Sequence, residues 1–263
     1  MGSKDSLVFA FQSLLIQGSA MRFSLRPALF SVAMLSSAAQ ANDFDFLPNP
    51  VNPVQSDFRL IAEDVTAALD YKALGPAEST GITGIGVGGF VTYSKTQDPN
   101  AWRRLTGETV EEVGMVGAVA HKGLPGNIDL GAIYAQVPGT DARVYGGEVR
   151  VALLAGGIAE PALSVRGTYT KLTGSDDVDF DTLGGDVSLS KGFGPLTPYI
   201  GAGVVRTTAE VKGLAQFGIR KEDFNSNKLY AGLRLSLGFI ELTPEVQRLG
   251  ENTVYNVRLG VSF

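Results

Sequence analysis

The fold this sequence predicts is a closed antiparallel β-barrel that spans a membrane, with about ten strands and a short helix ahead of them. Three observations carry the prediction. The apolar period switches to two at Ile82 and holds to the end of the chain. A secretory leader stands near the front. No stretch beyond residue 41 approaches the ~20 uninterrupted apolar residues of a spanning helix, so membrane residence falls to strands.

The leader begins at Met21. Arg22 and Arg26 supply a basic region, residues 28–34 an apolar one, and Ala39-Gln40-Ala41 a small-x-small cleavage signal, so the mature chain starts at Asn42. Residues 1–20 read as an upstream start-site extension. A membrane anchor over residues 7–37 is the weaker alternative, because Gln17, Ser19, Arg22 and Arg26 interrupt it. The formal charge of −5 becomes about −7 once the leader is removed. That acidity argues against nucleic acid. Without Cys there is no disulfide, thiolate metal site or Cys nucleophile, and a single His gives metal ligation no supporting spacing.

Residues 42–55 are rich in Pro and Asn and suit an extended lead-in. A helix is expected over 56–74, capped by Ser56 and stopped by Gly75-Pro76. Phe58, Ile61, Val65 and Leu69 form its apolar stripe, the face of a plug or lid. Residues 42–76 are thus a plug segment and 77–263 the barrel. Ten strands follow, at 82–96, 112–121, 127–137, 143–154, 162–172, 181–191, 197–209, 227–238, 240–249 and 253–263, each near the length a tilted strand needs. Connections two, four, six and eight are short. Connections one, five and seven are longer and charged. Short turns belong to the periplasmic side and long loops outside, which places the helix in the periplasm or within the barrel.

One face of each strand is apolar and the other polar. Leu229, Leu233, Leu235 and Leu237 oppose Arg234 and Ser236; Ile240, Leu242 and Val246 oppose Glu241 and Glu245. A soluble sandwich would bury the apolar face, so pattern alone does not choose. The leader and the chain end choose. Tyr255, Val257, Leu259, Val261 and Phe263 share one face, and a last strand of this kind ending in Phe resembles the terminal strands of bacterial outer-membrane barrels. The resemblance makes Tyr255 and Phe263 a signal to the outer-membrane assembly machinery and makes outer-membrane lipids the surroundings.

Closure then sends Glu148, Arg150, Arg166, Asp186, Arg234, Glu241, Glu245 and Arg258 into the lumen. They read as a pore lining or as a salt-bridged filling, and ten strands lie nearer the filled end. Gly84-Ile-Gly86-Val-Gly88-Gly89 matches a dinucleotide pattern by accident, because the glycines sit inside a strand. There they are expected to let the helix approach the wall. His121 falls at the periplasmic end without a catalytic partner by spacing, so no catalytic residue, cofactor or metal is expected. Pro244, inside strand nine, marks a bulge or a break in pairing with one neighbour. Trp102 reads as an anchor at the outer headgroups.

Residues 58–72, Leu74-Gly-Pro-Ala-Glu78, His121-Lys-Gly-Leu-Pro125, Arg166-Gly-Thr-Tyr-Thr-Lys171 and Leu196-Thr-Pro-Tyr199 resemble a group of uncharacterised proteobacterial outer-membrane β-barrel proteins with an N-terminal amphipathic helix. The resemblance implies helix plus barrel and brings no activity. Two functions are carried forward. One is a porin-like transport role, a narrow or helix-gated channel or binder for a small, amphipathic or hydrophobic solute. The other is a non-transporting structural or surface-interaction barrel.

Overall fold

The computed structural model describes residues 47, 54–157, 160–175, 178–212 and 218–263. The leader, the cleavage site and the upstream extension lie outside these. Helix α1 (Gln55–Leu69) precedes β1 (Ile85–Lys95), helix α2 (Pro99–Thr106), β2 (Glu112–Leu124), β3 (Ile128–Gln136) and β4 (Arg143–Ala155). Then come β5 (Ala162–Thr173), β6 (Val178–Ser190), β7 (Leu196–Val211), β8 (Glu222–Leu237), β9 (Ile240–Leu249) and β10 (Asn252–Ser262). Each strand pairs antiparallel with its sequence neighbours, and β1 pairs with β10 from Gly86↔Ser262 to Ser94↔Val254. The sheet therefore has no edge, as a wall in hydrocarbon requires.

The outer face is apolar through the middle of the wall, with charged residues such as Arg206, Asp223 and Arg248 standing outward toward the long-loop end. In β9 exposed and buried residues alternate without exception from Ile240 to Leu249. Tyr134, Tyr145, Tyr169 and Tyr255 stand out from the wall toward the long-loop end, and Phe193, Phe239 and Phe263 toward the short-turn end. Tyr255 and Phe263 are eight residues apart, ~26 Å along a strand and about 20 Å along the axis of a tilted one. An apolar band between two aromatic girdles is the form of an outer-membrane barrel, with the short turns in the periplasm. Among the described residues no helix is long and apolar enough to cross a membrane.

Several expectations are corrected. The helix ends at Leu69, not residue 74, and Val54 rather than Ser56 stands at its N-cap, with no side-chain cap. Asp70 leaves the helix with ψ 157° because its carboxylate is held by lumenal lysines, and the chain continues extended. Strand one begins at Ile85, not Ile82. The walls facing the helix are taller than expected: β6 begins at Val178, β7 runs to Val211 and β8 begins at Glu222, since Val178, Val211 and Phe224 join the apolar packing inside. Connection five is consequently short, only residues 174–177.

Trp102 is not a headgroup anchor. It lies on α2, is 1% exposed and packs inside the outer mouth. Asp98 caps α2 by accepting from the Asn100 backbone N–H at 2.9 Å, Pro99 opens it, and Gly107 closes it at φ 83°. The β1 glycines do not serve the helix. A Cβ on Gly88 would stand 2.9 Å from Nε of Arg258, and one on Gly260 2.9 Å from its Nη2, so both glycines make room for that guanidinium. Pro244 pairs with Val257 on β10, while the β8–β9 ladder skips from Gly232↔Glu245 to Leu235↔Leu242 in unchanged register. The outcome is a local gap without a bulge.

Candidate functional site

The lumen is the candidate site, and it changes character from one end to the other. Its outer half is apolar, which the expectation of a uniformly polar interior missed. Phe58, Ile61, Val65 and Leu69 of α1 pack against Met115, Ile133, Val144, Leu172 and Phe180 of the wall and Trp102 and Leu105 of α2. The helix thus enters a dry core enclosed by a barrel whose outside is also apolar.

At the outer mouth the start of α1 is tied to the β7–β8 side. The Gln55 side chain exchanges hydrogen bonds with the Arg220 backbone (3.0 and 2.8 Å) and contacts Glu222. Arg59 reaches Glu222 at 3.2 Å and lies 3.8 Å above the Phe224 ring. On another face of α1, Asp57 accepts two bonds from Arg104 of α2 (2.6 and 2.7 Å). Asp64 accepts from Trp102 Nε1 at 2.9 Å, Asn252 Nδ2 at 2.7 Å and the Gln97 backbone N–H at 3.1 Å. Burial raises the Asp64 carboxyl above its ordinary pKa, and these hydrogen bonds oppose the shift without cancelling it. Leu47 donates its N–H to the Leu105 carbonyl at 2.9 Å, so the chain ahead of α1 also meets α2, which forms a lid over the outer mouth.

Below the helix, residues 70–82 run the rest of the lumen as an extended thread. Asp70 sits between Lys72 and Lys228 (2.9 Å to the latter) and accepts from Gln247 at 3.1 Å. Lys228 also donates to the Tyr71 carbonyl at 2.6 Å. Arg166 donates to the Ala73 carbonyl at 3.3 Å, and the Leu74 N–H donates to Glu245 at 3.0 Å. Arg150 donates to the Pro76 carbonyl at 2.8 Å, and the Ala77 N–H donates to Ser190 Oγ at 3.1 Å. Lys122 donates to the Ile82 carbonyl at 3.1 Å, where the thread reaches the periplasmic rim. The N-terminal end of the plug therefore lies outside and its C-terminal end at the periplasm.

The eight lumenal residues expected from the sequence do line this lower half, but as separate groups. Arg166 bridges Asp186 (2.9 Å) and Glu148 (3.3 Å), with His121 3.2 Å from Glu148. Arg150 pairs with Asp129 at 3.3 Å, a separate pair close enough to act electrostatically on Glu148. Glu241 stands between Arg258 (3.2 Å) and Arg234 (3.8 Å), and Arg234 also holds Glu78 of the thread at 2.6 Å. Among the described residues Glu245 has no ion pair with an arginine; Tyr199 and Asn256 donate to it at 2.9 and 3.0 Å. Tyr199 faces Gly232 and Tyr230 faces Gly201 across the β7–β8 ladder, so each ring lies over a bare backbone and fills the middle of the lumen.

Sequence reasoning missed Asp57, Asp64, Asp70, Lys72, Asp129 and Lys228. A signal existed for two of them: Asp57 and Asp64 are seven residues apart and so share a face of the helix. Among the described residues no cluster of three or more His, Asp or Glu is placed to hold a metal.

No protein-family model and no curated protein matches this chain. Among solved structures, the N-terminal β-barrel domain of Pseudomonas aeruginosa OprF is similar over 70% of this chain and 99% of its own, at 13% identity and a TM-score of 0.34. OprG of the same organism is similar over 72% of this chain and 99% of its own, at 11% identity and 0.34. LpxR of Salmonella typhimurium covers 57% of this chain and 72% of its own, at 13% identity and 0.35. Likeness at this level carries no argument about chemistry, which rests on the lumen itself.

Proposed function

We propose that the protein is a plugged, non-conducting and non-enzymatic outer-membrane barrel that acts through its outer mouth, its lumen serving as a structural core. One observation carries this reading. From Ile61 to Ala77 only Glu63 and Gly75 escape full burial, so helix and thread occupy the lumen continuously between mouth and rim.

The energetics favour a fixed plug over a mobile gate. Withdrawing Phe58, Ile61, Val65 and Leu69 into water costs ~1.5–3 kcal/mol each, roughly 6–12 kcal/mol together. Moving a closed barrel from 1:99 to 99:1 open takes about 5.5 kcal/mol of differential binding. Withdrawal also strands Lys228 and Arg166 without their carbonyl partners. Expulsion of the helix is therefore too costly for thermal gating, and the channel expected from the sequence is the less favoured of the two functions.

The test is single-channel recording of the full-length protein in planar bilayers. A silent barrel supports the proposal, and stepwise currents from the full-length chain overturn it. A variant lacking residues 42–76 serves as the measure of what an emptied lumen would pass.

A further inference from the structure

We propose that the lipid-facing wall over β5–β9 carries a binding groove for a single phosphate-bearing amphiphile of the outer leaflet. This inference is independent of whether the lumen conducts. A concavity of about 610 Å³ opens on the apolar exterior. Its floor is Ala202 on β7 and Ala231 on β8, which face Leu229 and Ile200 across the ladder. Leu163 and Leu189 rise on one side and Val246 on the other. The small floor has a structural cause. On these rungs the bulk lies inside the wall, where Tyr199 and Tyr230 fill the lumen, while the outward positions between Ile200 and Leu229 carry only methyl groups.

The groove is bounded by cations toward the outer headgroups. Arg248 lines it. Two outward positions beyond Ala202 on the same strand stands Arg206, exposed and in no salt bridge among the described residues, with Asp223 of β8 as its acidic neighbour. Arg248 spends only part of its guanidinium, on the Gly250 carbonyl (3.2 Å) and the well-exposed Glu251 (2.7 Å). Their partners on β8 are Asn225 and Leu229, four residues apart, so the two arginine backbones stand about 16 Å apart across two strand spacings. Long arms bearing planar forks suit a phosphate between them better than any neutral head. Neither arginine is neutralised by a buried partner: Glu251 is well exposed, and Asp223 is exposed and also engaged by Thr208 and Lys221.

The occupant is a lipid rather than a second copy of this chain. A two-fold contact through this face would bring each copy's Arg206 and Arg248 against the identical cations of the other. An amphiphile supplies what the surface lacks, acyl chain for the groove and anion for its rim.

The experiment uses the full-length protein in a neutral detergent, with phosphatidic acid, diacylglycerol of the same chains, and inorganic phosphate as three separate probes, read by native mass spectrometry. The expected result is one phosphatidic acid per barrel, bound at least tenfold more tightly than diacylglycerol, with no retention of inorganic phosphate. Arg206→Gln with Arg248→Gln should remove that tenfold preference, and Ala202→Trp should reduce binding of both lipids by filling the floor. All three positions face outward, and heat-modifiable gel migration verifies that each variant is folded. Equal binding of the two lipids to the wild-type barrel, or a preference that survives the double arginine variant, overturns the proposal. Retention of inorganic phosphate as strong as that of phosphatidic acid overturns the groove.

Discussion

Asp64 holds the lid on the plug, and its removal has a calculable cost. Its carboxylate accepts from Trp102 Nε1, Asn252 Nδ2 and the Gln97 backbone at 2.7–3.1 Å, joining α1 to α2 and to the start of β10. Hydrogen bonds to a charged group are each worth ~1.5–3 kcal/mol. Three sum to roughly 4–9, and relief of the buried charge returns several kcal/mol, leaving a net loss of about 2–4 for Asp64→Ala. The assay is built into the chain, because Trp102 is its only tryptophan. Asp64→Ala should shift the emission of folded protein to the red and lower the denaturant midpoint of the tryptophan signal by that amount. The Asp64 pKa is raised in the folded state, so the pH-dependent part of its contribution is fully present below the unfolded carboxyl's ~3.9 and is lost as pH rises through the folded value. Acidification from neutral should therefore firm the lid in the wild type relative to Asp64→Asn, which has no proton to gain. An Asp64→Ala protein with unchanged emission and midpoint would refute the reasoning.

Other predictions follow from the thread. The chain lacks cysteine, so Ser56→Cys at the outer mouth should react with a membrane-impermeant maleimide on intact cells, whereas Pro125→Cys in the β2–β3 turn should react only after permeabilisation. The opposite pattern would invert the threading. Arg166→Ala leaves Glu148 and Asp186 without their shared cation in the lower lumen and should cost about 3–5 kcal/mol in urea unfolding followed by circular dichroism; a loss below ~1 kcal/mol would mean that the cluster is solvated. Lys228→Met removes a cation that bonds both Asp70 and the Tyr71 carbonyl, and should lower the temperature at which the folded gel band is lost. No change in that temperature would show the thread to be held elsewhere.

The wall was legible because lipid and ladder act on single residues. A strand in hydrocarbon must alternate and must pair on both sides, so β9 and β10 can be read nearly residue by residue from Ile240 to Ser262. The contents of the barrel were legible only in part. Trp102 was misread because an aromatic beside two arginines in an outer loop fits a headgroup anchor as well as a lid, although Asp98-Pro99 and Gly107 did mark a short helix. Lys228 carries no local mark that sets it apart from other polar residues on a lumenal face, and Asp70 falls within the helix expected over 56–74 but off its apolar stripe. What makes them partners is a chain turning out of the helix at residue 70, and local pattern holds no record of that turn.

By itself, then, the sequence determined the period, the closure that period demands, the apolar outside and the residues that must face inward. Only the tertiary structure decided what the inward residues meet. It filled the outer half with a dry core and divided eight expected charges into separate pairings. It also ran the plug from mouth to rim. The physical reason is range: a side chain's face is set by its neighbours in the chain, whereas Glu245 finds Leu74, and Asp64 finds Asn252, across more than 170 residues that only a closed wall brings together.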